Sequence, residues 1–108
     1  MSVRQYDKLV RDRIPEIIAA DGRRCECTVL GEAEYLEKLD EKLNEELAEY
    51  QQSKSLEELA DLLEVIRAVI EARGSTVEAV EAIRAAKAEA RGAFSRRILL
   101  KRVFVEGD

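Results

Sequence analysis

The chain has 108 residues, of which 38% are charged and 46% hydrophobic, with a formal net charge of −5 and five Gly, one Pro, two Cys and no His or Trp. That composition excludes disordered, collagen-like and disulfide-framework proteins and fits one small helix-rich domain. No run of about 18 apolar residues exists to span a bilayer, and the first residues lack the apolar stretch of a secretory signal, so a cytoplasmic location is expected, with no membrane partner.

A domain of this length buries a modest share of its surface, so assembly with further copies of itself is expected from the start. The charges are unevenly spread. Acids outnumber bases between Glu32 and Glu64, whereas Arg84, Lys87, Arg91, Arg96, Arg97, Lys101 and Arg102 face a lone Glu89 between them. Such blocks are either solvated surface or two halves of a site that grips a metal and the phosphates it carries. The acidic middle, and the lack of a zinc motif or a stacking-rich basic sheet, argue against a nucleic-acid partner.

In DRIPEIIAADG, Pro15 suits the first turn of a short helix and Gly22 its stop. In RRCECTVLG, Cys25, Cys27 and Val29 alternate with Glu26 and Thr28, the period of a strand. The two cysteines read as reduced strand residues, because one chain without histidine cannot assemble a four-ligand zinc site. A second β-prone segment, RRILLKRVFVE, stands near the C-terminus, and the two are expected to pair.

Three longer helices are predicted between these segments. The first, from about Ala33 to Gln52, carries the apolar stripe Leu36, Leu39, Leu43, Leu47 and Tyr50, with Glu46 at its rim. Ser55, followed by Glu57 and Glu58, marks the N-cap of the next helix, which starts at Leu56 and ends at Ala72 or Arg73 before Gly74. Ser75 or Thr76 begins a last helix, VEAVEAIRAAKAEAR, closed by Gly92. The expected fold is therefore all-α, a single-domain bundle of about four helices over residues 1–108, with a minor two-stranded β element and completed by oligomerisation.

Glu46 with Glu49, and Glu58 with Asp61, are acids three residues apart on one helix face, where they repel. None has a Lys or Arg four residues ahead, since those positions are Tyr50, Ser53, Leu62 and Val65, although Glu34 and Lys38 show that the chain pairs charges elsewhere. On the second long helix, Glu57, Glu64 and Glu71 follow an outer ridge, while Glu58 and Asp61 share a side with Val65, Ala68 and Ala72. Carboxylates turned into packed surroundings must titrate or bind a cation. Oxygen-only ligands select Mg²⁺, Ca²⁺ or Mn²⁺, and two antiparallel helices can gather all four acids around the ion.

Taken together, E-E-L-A-E from Glu45 to Glu49 and E-L-A-D from Glu58 to Asp61 resemble the paired motifs of the MazG-like family of all-α nucleotide pyrophosphohydrolases, related to phosphoribosyl-ATP pyrophosphohydrolase and the dimeric dUTPases. The opening Y-x-K-L-V-R-D-x-I-P-E-I-I from Tyr6 to Ile18, and an R-G-x-F-x-x-R-I segment beginning at Arg91, resemble the ends of a short subgroup. The connector between the acidic motifs is shorter here than in many members. The resemblance implies Mg²⁺-dependent hydrolysis of a nucleoside triphosphate to monophosphate and pyrophosphate, with Mn²⁺ as a substitute. It further implies Glu46, Glu49, Glu58 and Asp61 as metal ligands, and Glu45 as the group that orients or deprotonates the attacking water. Lys8, Arg11, Lys87 and Arg91 are the candidate phosphate contacts, and Tyr6 and Phe94 are expected in the core rather than against a base. Competing expectations are a phosphoribosyl-ATP or dUTP hydrolase, or a catalytically silent bundle that binds a nucleotide or partner. A homodimer or dimer of dimers is expected.

Overall fold

The computed structural model describes residues 2–105 and Gly107, and the regular structure among them is all α-helix. The helices are α1 (Ile14–Ala20), α2 (Glu32–Ser53), α3 (Leu56–Ala72) and α4 (Val77–Arg91). All four lie where the sequence patterns put them, because each boundary carries its own local signal. Pro15 sits in the first turn of α1, and Gly22 follows it with a left-handed φ of 79°. Gly92 closes α4 in the same way at φ 82°. Glycine adopts that conformation without the steric penalty a Cβ would bring.

The turn between α2 and α3 is tight. Lys54 takes the left-handed conformation at the C-cap of α2 (φ 59°), its N–H donating to the Tyr50 carbonyl at 2.7 Å. Ser55 then caps α3, its Oγ accepting from the Glu58 N–H at 3.2 Å. A reversal this short makes α2 and α3 an antiparallel hairpin. The ion pair of Arg73 with Asp40 at 3.7 Å, from the end of α3 to the first half of α2, shows the same direction.

The described residues divide into two units, one running up to Val77 and one from Glu78 onward. In the first, α2 packs on α3. Leu39 is its buried hydrophobic residue, at 4% exposure, and Leu36, Leu43 and Tyr50 of the predicted stripe are half-buried. Leu47 departs from the expectation at 43% exposure, whereas Glu46, expected at the rim, is buried at 6%. On α3 the angular reading holds: Glu57, Glu64 and Glu71 are exposed, and Glu58, Asp61, Val65, Ala68 and Ala72 are half-buried. The second unit holds α4 and a segment without regular structure from Ile98 to Val105.

The expected β element is absent from the described residues: neither 23–31 nor 98–105 carries a strand. Alternation sets which side a residue occupies, but an extended segment becomes a strand through a ladder with a neighbour, and a lone pair of strands is marginal in water. The apolar residues there consequently stay open, Val29 at 99% and Ile98, Leu99, Leu100 and Phe104 at 74–83% exposure. Among the described residues no helix is long and apolar enough to cross a membrane.

Candidate metal centre

The α2–α3 hairpin gathers the acidic motifs into one cluster. Glu45, Glu46 and Glu49 each offer a carboxylate oxygen, and these lie within 4.8 Å of one another; Glu46, Glu58 and Asp61 form a second triad by the same measure. Glu46 belongs to both triads. It sits one turn ahead of Glu49 on α2, and the antiparallel register of the hairpin carries Glu58 and Asp61 up beside it.

Burial grades the cluster from closed to open. Glu46 is buried, Glu45, Glu58 and Asp61 are half-buried, and Glu49 is exposed. Glu46 Oε2 and Glu58 Oε2 are buried atoms without a hydrogen-bond partner. A buried carboxylate oxygen is costly to leave without a hydrogen-bond partner. The titration behaviour reflects this: burial, then the neighbouring Glu49 carboxylate, pushes both Glu46 and Glu58 above the ordinary carboxylate range. Lys42 opposes the effect at Glu46.

The sequence suggested that these acids lack cationic neighbours, and the structure corrects that. Lys42 lies four residues behind Glu46, not ahead of it, and its Nζ is 3.6 Å from Glu46 Oε1 and 3.4 Å from Glu45 Oε1. Lys8 reaches the same Glu45 oxygen at 3.4 Å, and Arg11 donates to Asp61 Oδ1 at 2.8 Å. Helix neighbours pair in both directions, and segments 37 and 50 residues away in sequence are invisible to spacing rules. The Lys38 ammonium pairs with Glu41 at 3.5 Å, not with Glu34 as the sequence suggested.

Of the predicted phosphate contacts, Lys8 and Arg11 are therefore brought to the acidic cluster by the segment ahead of α1. Lys87 and Arg91 lie on α4 in the other unit. A cavity of about 320 Å³ opens beside Glu45, lined by Tyr6, Lys8, Lys38 and Lys42 among others. Lys38 and Lys42 were missed by the sequence reading. The signal for Lys42 was its place one helical turn before the E-E pair. Tyr6, at 62% exposure, and Phe94, at 95%, are not in a core, so that expectation is overturned for both. Arg91 and Phe94 line a second cavity of about 450 Å³ with Arg96 and Arg97.

The donor set is all oxygen, part buried and part open, with orphaned acceptor atoms at its centre, and it fits a hard divalent cation. No family model matches the chain, and no solved structure does. An uncharacterized protein of Mycolicibacterium smegmatis (strain ATCC 700084 / mc(2)155) is 55% identical over 42 residues, which cover 39% of this chain and 43% of that protein.

Proposed function

We propose that this chain is a nucleotide pyrophosphohydrolase of the MazG-like kind, which adds water to a nucleoside triphosphate between its α and β phosphates and releases monophosphate and pyrophosphate. Removal of noncanonical or excess nucleotides is the role that suits this chemistry. The observation that carries the reading is the convergence of carboxylates from α2 and α3 on Glu46, with two buried oxygens unpartnered. Glu46, Glu49, Glu58 and Asp61 would hold Mg²⁺, with Mn²⁺ as a substitute. When bound, the ion neutralises phosphate charge and makes a water more acidic.

The remaining roles fall to the chain's own side chains. Lys8 and Lys42 share one oxygen of Glu45, and Arg11 is paired to Asp61. A triphosphate is a stronger partner for these cations than a single carboxylate. Its arrival draws them to phosphate and frees Glu45 to orient the attacking water and take its proton. The cavity beside Glu45 lies at the lower end of the roughly 300–1,000 Å³ usual for ligand pockets and offers Tyr6 as a surface for a base.

Assembly as a homodimer or dimer of dimers belongs to the same proposal. Leu56, Leu63 and Ile83 are 82%, 61% and 58% exposed on helices, and the segments around Val29 and Ile98–Val105 have β-prone sequences without a ladder. A second copy covers the helix faces and supplies the missing strand partners.

The test is separation of products after incubation with a panel of ribo- and deoxynucleoside triphosphates, dUTP and phosphoribosyl-ATP, with and without Mg²⁺, for wild type and for a Glu49→Gln, Asp61→Asn variant. Monophosphate and pyrophosphate from wild type with metal alone, and none from the variant, is the expected result. An intact panel, or orthophosphate as the product, sinks the enzymatic reading and leaves a binding bundle.

A further inference from the structure

Cys25 and Cys27 take no part in the carboxylate centre. Cysteine is among the residues most often buried, yet both are free thiols exposed on the segment without regular structure between α1 and α2. Their Sγ atoms stand 3.8 Å apart, hydrogen-bonded to one another.

That separation has a chemical meaning. Zinc binds thiolates tetrahedrally with bonds of about 2.3 Å, so two adjacent sulfurs on one ion stand about 3.8 Å apart. The two sulfurs thus already stand at the edge length of a zinc tetrahedron. Sulfur ligands are soft and select Zn²⁺ or its heavier congeners over Mg²⁺.

We propose that Cys25 and Cys27 form a two-thiolate chelate for a thiophilic divalent cation, Zn²⁺ foremost, separate in chemistry from the oxygen-only centre. Binding releases both thiol protons to solvent as two metal–sulfur bonds form, and no oxidant or reductant is consumed. The chain has two cysteines and no histidine. The other positions on the ion are open to water or to the same pair from a second copy.

The experiment is a Cd²⁺ titration of the full chain in a phosphine reductant, followed by thiolate-to-metal absorption in the ultraviolet, with Zn²⁺ added afterwards as competitor. Wild type should saturate at no more than one ion per chain, and Zn²⁺ should abolish the band. Cys25→Ser and Cys27→Ser should each weaken binding about a hundredfold, the scale of advantage conferred by a tethered second ligand. Both side chains are exposed, so helix content by circular dichroism should not change. The Glu49→Gln, Asp61→Asn variant should bind as wild type does, which separates this site from the carboxylates whether or not the hydrolase reading stands. Equal binding by wild type and a Cys25→Ser, Cys27→Ser double variant overturns the proposal, as does a single variant that keeps wild-type affinity.

Discussion

Glu46→Gln should make the metal-free protein more stable and the metal-loaded protein inactive. Glu46 is 6% exposed, and its Oε2 has no hydrogen-bond partner, while Glu49 and Asp61 both raise its pKa by repulsion. An amide removes the repulsion and the charge-burial penalty at nearly constant volume. The gain is about 1–3 kcal/mol, the scale of an unsatisfied buried polar group. Lys42 loses one partner but keeps Glu45 at 3.4 Å, which limits the offsetting loss. Melting followed by circular dichroism should then show the variant higher than wild type in EDTA, by roughly 4–8 °C per kcal/mol for a domain of this size. With Mg²⁺ at a hundred times its Kd, wild type should gain about 2.7 kcal/mol, while the variant, which loses the one ligand common to both triads, gains far less. The two curves should therefore cross as metal is added. A variant that melts below wild type in EDTA, or a wild type indifferent to Mg²⁺, would refute the view that Glu46 is a strained ligand awaiting a cation.

Other outcomes follow from the same geometry. Burial and Glu49 raise the pKa values of Glu46 and Glu58, so the folded state holds protons that the unfolded chain has already lost. Metal-free stability should thus fall as pH rises from the ordinary carboxylate range through the raised values, and Mg²⁺ should flatten the profile; a metal-free melting temperature that climbs over that window would count against it. Ser55→Ala removes the acceptor of the Glu58 N–H and should lower stability by about 1 kcal/mol, visible as a lower urea midpoint at unchanged m-value. Lys42→Ala should raise KM for a triphosphate more than it lowers kcat if its ammonium meets phosphate, and the reverse split would assign it to holding Glu45 and Glu46. In the proposed assembly, Leu63→Glu or Ile83→Glu should shift the protein to monomer in sedimentation velocity, and an unchanged sedimentation coefficient would count against a contact through these faces.

The acidic centre and its surroundings were legible to different depths. Glu46, Glu49, Glu58 and Asp61 could be grouped beforehand, since their spacing sets a face on each helix and the short polar connector between Gln52 and Leu56 allows an antiparallel pair that joins the faces. Their counter-charges could not be. Lys8 and Arg11 arrive from a segment without regular structure, and no periodicity foretells where such a segment lies. Lys42 could have been found by looking one turn backward as well as forward from Glu46.

What the sequence determined by itself was local: four helices with their ends, because caps, Pro15, the glycines and 3.6-residue periodicity act within a few residues of where they occur. Tertiary structure alone decided that Glu46 is buried while Leu47 beside it is open, and that the lysines meet Glu45. It also decided that the alternating segment around Cys25 and Cys27 has no strand partner among the described residues. Burial, ion pairing and β-ladders are relations between segments distant along the chain, and they come into being when packing brings those segments together.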